Sequence, residues 1–259
     1  MNDVPNSRAV LVACMPKSGS TYVTELLAQI PGFRREHIVP SYFRREQELS
    51  DSLIRRAFDN TNTLRQAISR GTVTAEHRPR GWVAQNHVKH NAETQTLIDR
   101  YGIVPVFLVR NIFDVVVSLR DHVANTSPNT PVAYIDEEMG AWEPERMHEF
   151  LVEMAVPWYI HFYVSWYRAE NKIMVRYEDL IADPSRELRR ILKFGGLGWN
   201  PDILAAAVAG VAGDRTRKNV GVAGRGSVLS DELKARIHQY CGYYPSVDFS
   251  PIGIEGGRG

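Results

Sequence analysis

Cysteine is scarce. Cys14 and Cys241 are the only two in 259 residues, which is no disulfide framework and no metal-ligand spacing, so a secreted disulfide scaffold and a small zinc module are both excluded. Net charge is almost absent as well: 31 Lys and Arg stand against 30 Asp and Glu, a formal charge of +1. No global field therefore selects a nucleic acid or an anionic membrane, and any anion site has to be local. No run approaches the roughly 18 apolar residues of a membrane span. The start, Met1-Asn2-Asp3-Val4-Pro5-Asn6, lacks the basic stretch and apolar core of a leader. These absences give the expectation of a cytoplasmic protein with no membrane partner, no nucleic-acid partner and no metal.

What is present is organised around Met15 to Tyr22. The preceding run Ala9-Val10-Leu11-Val12-Ala13-Cys14 is short, apolar and branched, as a strand buried on both faces should be. After it, Tyr22, Val23, Leu26, Leu27 and Ile30 recur at helical spacing until Pro31-Gly32. Strand, turn and helix in that order make an anion site, because the first helical N–H groups have no internal partners and the dipole adds positive charge. Gly19 permits close backbone approach, Ser18, Ser20 and Thr21 supply hydroxyls, and Lys17 supplies a mobile charge. The nucleoside-triphosphate loop requires an earlier Gly and a Lys after the second Gly; here Lys17 precedes Gly19. The order resembles the 5′-phosphosulfate loop of the sulfotransferase family, whose donor is 3′-phosphoadenosine 5′-phosphosulfate (PAPS).

Further segments extend that resemblance from Val10 to about Leu233. Trp82 to Gln85 reads as a second buried strand leading to His87 and His90, with a helical stretch from Glu93 to Arg100. The family places its catalytic histidine at that strand's end, which implies His87 as the base, with His90 as the rival. Gln85 stands where cytosolic members commonly have Lys. Val104 to Val109 is another buried strand, followed by Arg110 and a helix from Phe113 to His122. Arg110 and Ser118 resemble the family's 3′-phosphate pair, and a planar guanidinium fork plus a neutral hydroxyl suits a phosphate dianion. A salt bridge to Asp114 is the plainer reading of Arg110. The strand Lys172 to Arg176 runs into Tyr177-Glu178-Asp179. There the resemblance puts Tyr177 on the adenine and leaves Glu178 and Asp179 to fix a turn. Tyr22 takes the place of a stacking Trp. Arg215, Arg217, Lys218, Gly221 and Arg225 form a basic, Gly-rich stretch resembling the loop over the 3′-phosphate; whether Arg217 and Lys218 or Arg225 make that contact stays open.

The remaining segments are plainer. The arginine pairs at 34–35, 44–45 and 55–56 read as a solvated basic surface, and residues 50–69 as a helix. Trp158, Phe162 and Trp166 form a core stripe. The segment from Asp121 to Glu149 has seven acids against one base, Arg146; its prolines suggest a loop-rich lid that admits a neutral or cationic acceptor. The length fits one domain spanning 1–259, of α/β class with a central, mainly parallel sheet flanked by helices. The resemblance implies transfer of a sulfuryl group from PAPS to a hydroxyl or amine of a small-molecule acceptor, with release of 3′,5′-ADP. His87 and Lys17 would be catalytic. A P-loop nucleotide kinase, or a silent nucleotide-binding protein on the same fold, is the alternative.

Overall fold

The computed structural model describes residues 8–38, 48–59, 81–211 and 224–255. Arg44, Arg45, the second half of the expected helix over 50–69, and Arg215, Arg217, Lys218 and Gly221 lie outside them.

The strands are β1 (Ala9–Cys14), β2 (Phe33–Arg35), β3 (Gly81–Asn86), β4 (Ile103–Val109) and β5 (Ile173–Arg176). They form a five-stranded sheet of order β2-β3-β1-β4-β5, and every pairing is parallel. The helices are α1 (Ser20–Ala28), α2 (Asp51–Asp59), α3 (Ala92–Tyr101), α4 (Ile112–Asn125), α5 (Glu137–Gly140), α6 (Pro144–Met154), α7 (Val156–Tyr167), α8 (Tyr177–Ala182), α9 (Pro184–Phe194), α10 (Pro201–Val211) and α11 (Asp231–Gly242).

Central β1 explains its own composition. Val10, Val12 and Cys14 pack with α1, α9 and α10 on one face. Ala9, Leu11 and Ala13 pack with α3, α4, α6, α7 and α11 on the other. A strand covered on both faces has no solvent side to fill with polar residues. The chain steps from β1 outward to β2 and β3, then crosses to β4 and β5 on the opposite side. The crevice at the strands' C-terminal ends around β1 is the switch point where α/β sheets bind ligands. Residues 15–19, His87, Arg110 and Tyr177 all follow strand ends on that edge.

Three expectations are corrected. The acidic segment is not a loop throughout. Pro144 sits in the first turn of α6, where its missing N–H has no partner to lose. Met147, His148, Leu151 and Val152 then bury one face of that helix, and Val132 and Ile135 pin the stretch before it into the core. Arg34 and Arg35 are not a solvated surface: they lie on β2, where Arg34 donates to the Ala57 carbonyl at 2.6 Å and Arg35 pairs with Glu25. Glu178 and Asp179 form no turn but the first turn of α8, where acids suit the positive end of the helix dipole. Among the described residues, no helix is long and apolar enough to cross a membrane.

Candidate functional site

The turn after β1 is built by its carbonyls. Met15 O accepts from Ser18 N at 3.2 Å and from Ser18 Oγ at 2.6 Å. Pro16 O accepts from Tyr159 Oη of α7 at 3.3 Å, and Lys17 O accepts from Arg110 Nη1 at 3.0 Å. With these oxygens tied back into the protein, the first amides of α1 head a positive helix end. Lys17 holds φ +68° and Gly19 φ +85°. The left-handed region is routine for Gly and costs a lysine roughly 1–2 kcal/mol, a strain of the kind that collects at functional sites. Ser18 is fully buried and its hydroxyl hydrogen closes the turn. Ser20 is buried at the start of α1, and Thr21 is half-buried beside it.

Gly19 has a specific reason to be Gly. A Cβ there would meet Tyr177 Cδ2 at 2.5 Å and Cε2 at 2.6 Å. The Tyr177 ring in turn carries the Arg110 guanidinium, 4.5 Å from its centroid. The phenols of Tyr22 and Tyr177 neighbour one another. Burial first, then the Tyr177 charge, raises the Tyr22 pKa; burial also raises that of Tyr177, against the pull of Arg110. The turn, the end of β4 and the end of β5 thus meet through Gly19, Arg110 and Tyr177. Ser118, buried on α4, completes the stretch that begins at Arg110.

His87 follows β3, and its Nδ1 lies 2.8 Å from Cys14 O. A carbonyl oxygen only accepts, so Nδ1 carries a proton, and in the neutral ring the lone pair is on Nε2. Cys14 immediately precedes Met15, so this bond ties the imidazole to the turn after β1. His90 is placed elsewhere. Its Nε2 lies 2.9 Å from Gln95 Oε1, and Gln95 Nε2 donates to Asp99 at 2.7 Å. Its ring sits 5.2 Å from that of Trp166. It lines a cavity of about 390 Å³ with His161, Val164, Ser165, Arg168 and Tyr244, and no residue of the turn after β1 lines that cavity. Gln85 is 9% exposed, and its Oε1 has no hydrogen-bond partner among the described residues.

Arg225 lies in a 3-10 turn over 225–228 and pairs with Asp121 of α4, one turn beyond Ser118. Three further groups make contacts that the sequence does not show. Glu178 Oε1 accepts from the Asn111 backbone N–H at 2.9 Å, which joins the ends of β4 and β5. Tyr159, buried beside the aromatic stripe of α7, donates to Pro16 O. Asp114 was weighed only as a partner for Arg110, from whose Nη2 its carboxylate stands at 3.9 Å; it also accepts backbone N–H groups from the C-terminal stretch. Among the described residues, no group of His, Cys, Asp or Glu is placed to hold a metal ion.

Residues 7–222 match the family model described as sulfotransferase domain. Among solved structures, the chain is similar to mouse sulfotransferase SULT7A1 complexed with PAP, with a TM-score of 0.60 and 15% identity, over 94% of this chain and 86% of that one. It is also similar to the sulfotransferase STF9 from Mycobacterium avium, with a TM-score of 0.52 and 14% identity, over 98% and 79% of the two chains. A third is retinol dehydratase in complex with androsterone and inactive cofactor PAP, with a TM-score of 0.51 and 13% identity, over 91% and 80%. At these identities the structural likeness concerns the fold.

Proposed function

The chain belongs to the sulfotransferase domain family, and from that premise we propose that it moves the sulfuryl group of PAPS onto a hydroxyl or amine of a small-molecule acceptor, using His87 and Lys17. The observation that carries the residue assignment is the His87 Nδ1 bond to Cys14 O. It holds a buried imidazole by Nδ1 against the strand that leads into the turn, which supports Nε2 as the base. In the reaction, Nε2 takes the acceptor proton as the acceptor atom bonds to sulfur. The bond from sulfur to the bridging oxygen breaks, and 3′,5′-ADP leaves. Lys17 and the first amides of α1 stabilise the charge that grows on that oxygen. Gln85 donates its amide to a sulfuryl oxygen without adding charge.

The donor's 5′ end is assigned to Lys17, Ser18, Gly19, Ser20 and Thr21. Its adenine goes to Tyr22 and Tyr177, and its 3′-phosphate to Arg110, Ser118 and the C-terminal basic stretch of Arg217, Lys218, Gly221 and Arg225. Two features support this assignment: Gly19 lets the Tyr177 ring close against the turn, and Arg110 is a stacked, buried cation. The domain is taken to span 1–259 and the setting to be cytoplasmic and reducing, in keeping with Cys14 and Cys241 as thiols. The acceptor is taken to be neutral or cationic, because Asp136, Glu137, Glu138, Glu143, Glu145 and Glu149 are exposed.

Calorimetric titration with 3′,5′-ADP, 5′-AMP and ATP tests the reading. Charge-assisted hydrogen bonds are worth about 1.5–3 kcal/mol each, so 3′,5′-ADP should bind tighter than 5′-AMP by orders of magnitude. Equal affinities, or a preference for ATP, would remove the basis of the assignment.

A further inference from the structure

The cavity of about 390 Å³ beside α7 takes no part in the chemistry above. His161, Val164, Ser165 and Arg168 stand three and four residues apart, so they lie along one face of α7 and its C-cap. His90 and Tyr244 complete the lining. These walls are held in place by the protein itself. The His90 backbone N–H donates to Ser165 Oγ at 3.1 Å, and that hydroxyl donates to Phe162 O at 2.8 Å. Trp166, whose ring lies 5.2 Å from that of His90, donates its Nε1–H to Val88 O at 2.8 Å. A chain of side chains fixes the His90 ring. The Asp99 carboxylate accepts from Gln95 Nε2, which turns Gln95 Oε1 toward His90 Nε2, so that nitrogen donates. Val164 supplies a buried apolar patch, and the Tyr244 ring stands edge-on to that of His161.

The polar groups left over are donors of the kind an anion needs. Among the described residues, the Arg168 guanidinium, the His161 ring nitrogens and Tyr244 Oη have no hydrogen-bond partner, and no carboxylate lines the cavity. A guanidinium is a planar fork whose two N–H groups match the two oxygens of a carboxylate. We infer that this cavity is a second binding site, separate from the turn after β1, for a small organic carboxylate. Arg168 takes the carboxylate head, and the apolar body lies over Val164 beside the rings of His161 and Tyr244. The volume falls within the roughly 300–1,000 Å³ of ligand sites, which are largely preformed and carry few polar groups. A neutral ligand gains nothing from Arg168, and a cationic one is repelled by it. The inference does not depend on the donor assignment, because the two sites share no residue.

The probe is para-fluorobenzoate, titrated into the full chain and followed by fluorine NMR, with imidazole carbon–proton spectra to locate it. Binding should saturate at about millimolar concentration, ordinary for a ligand of about ten heavy atoms. It should move the signals of His161 and His90 and leave that of His87 in place. Arg168→Gln should weaken binding by about 10- to 100-fold, the span of one charge-assisted bond. Its Tm should match wild type, because Arg168 is exposed. The neutral analogue para-fluorobenzamide should bind wild type at least about tenfold more weakly than the carboxylate. Saturating 3′,5′-ADP should leave affinity for the probe unchanged. Any one of four results would overturn the inference: no saturable binding, equal affinity in Arg168→Gln, equal affinity for the amide, or displacement by 3′,5′-ADP with shifts at His87 instead of His161 and His90. Should 3′,5′-ADP itself fail to bind, the donor assignment fails, while the dependence of the probe on Arg168 still decides the second site.

Discussion

Gly19→Ala is the sharpest probe of how the site is built. The substitution acts twice. Gly19 holds φ +85°, and an alanine in the left-handed region costs about 1–2 kcal/mol. Its Cβ would also fall 2.5 Å from Tyr177 Cδ2, well inside van der Waals contact, so the ring must turn. Turning breaks the Arg110 stack at 4.5 Å, worth about 0.5–2 kcal/mol when desolvated. Together these give a loss of about 1.5–4 kcal/mol, or a fall in Tm of about 3–16 °C for a chain of this size. Urea unfolding of wild type, Gly19→Ala, Tyr177→Ala and the double variant separates the contributions. With the ring gone the clash vanishes and only the backbone strain remains, so the double variant should be more stable than the sum of the single effects predicts. A coupling within about 0.5 kcal/mol of zero would mean that the two sites act independently. That result would refute the claim that Gly19 is required by the Tyr177 ring.

Lys17→Ala should lower turnover more than it weakens 3′,5′-ADP binding, since its charge matters most as negative charge grows on the leaving oxygen; loss of binding alone would reduce Lys17 to an anchor. His87→Ala should abolish turnover with donor binding kept, whereas His90→Ala should remain active, because His90 is committed to Gln95 and the face of α7. Activity surviving in the first and lost in the second would reassign the base. His148 is a stability switch: burial first, then Arg120, holds its pKa below the usual 6.5. The unfolded chain takes up that proton first, so the contribution is complete above about pH 6.5 and is lost as pH falls through the folded value. Thermal unfolding between pH 7 and pH 5 should fall more steeply for wild type than for His148→Gln, and parallel curves would exclude the effect.

The fold was legible wherever the signal was local. The unbroken apolar run of β1 and the helical spacing through Val23, Leu26 and Leu27 are both satisfied within a few residues. Asp183 and Pro184 at the start of α9 are legible for the same reason. It was illegible where tertiary partners decide. Strand β2 is only Phe33–Arg35, with two arginines in three positions; it exists because it pairs with β3 and because Glu25 and Ala57 receive its guanidinium groups. Helix α6 was missed because Pro144 looks like loop punctuation, although proline is common in a helix's first turn. The site divides in the same way. The turn from Pro16 to Thr21 announces itself by order and composition. His87 and His90, three residues apart on one stretch, are chemically equal in sequence and differ only in what holds them, Cys14 O in one case and Gln95 in the other.

Arg110 shows why the turn is not a self-sufficient motif. A lysine at φ +68° is strained, and a carbonyl that accepts nothing would add to that cost. The Arg110 Nη1 bond to Lys17 O fills this carbonyl from the end of β4, while Tyr159 Oη fills that of Pro16 from α7. The same guanidinium stacks on Tyr177 and faces Asp114, which holds Gly224 and Gly226. One planar, always-charged group therefore links the end of the site assigned to the 5′-phosphosulfate with the end assigned to the 3′-phosphate. A lysine could not replace it, having a single ammonium and no plane with which to stack while donating to Lys17 O. Under the donor assignment proposed above, the two anionic ends would be read by one connected assembly rather than by two independent pockets. That is why Gly19, Arg110, Asp114 and Tyr177, scattered through the sequence, carry their physical meaning only together.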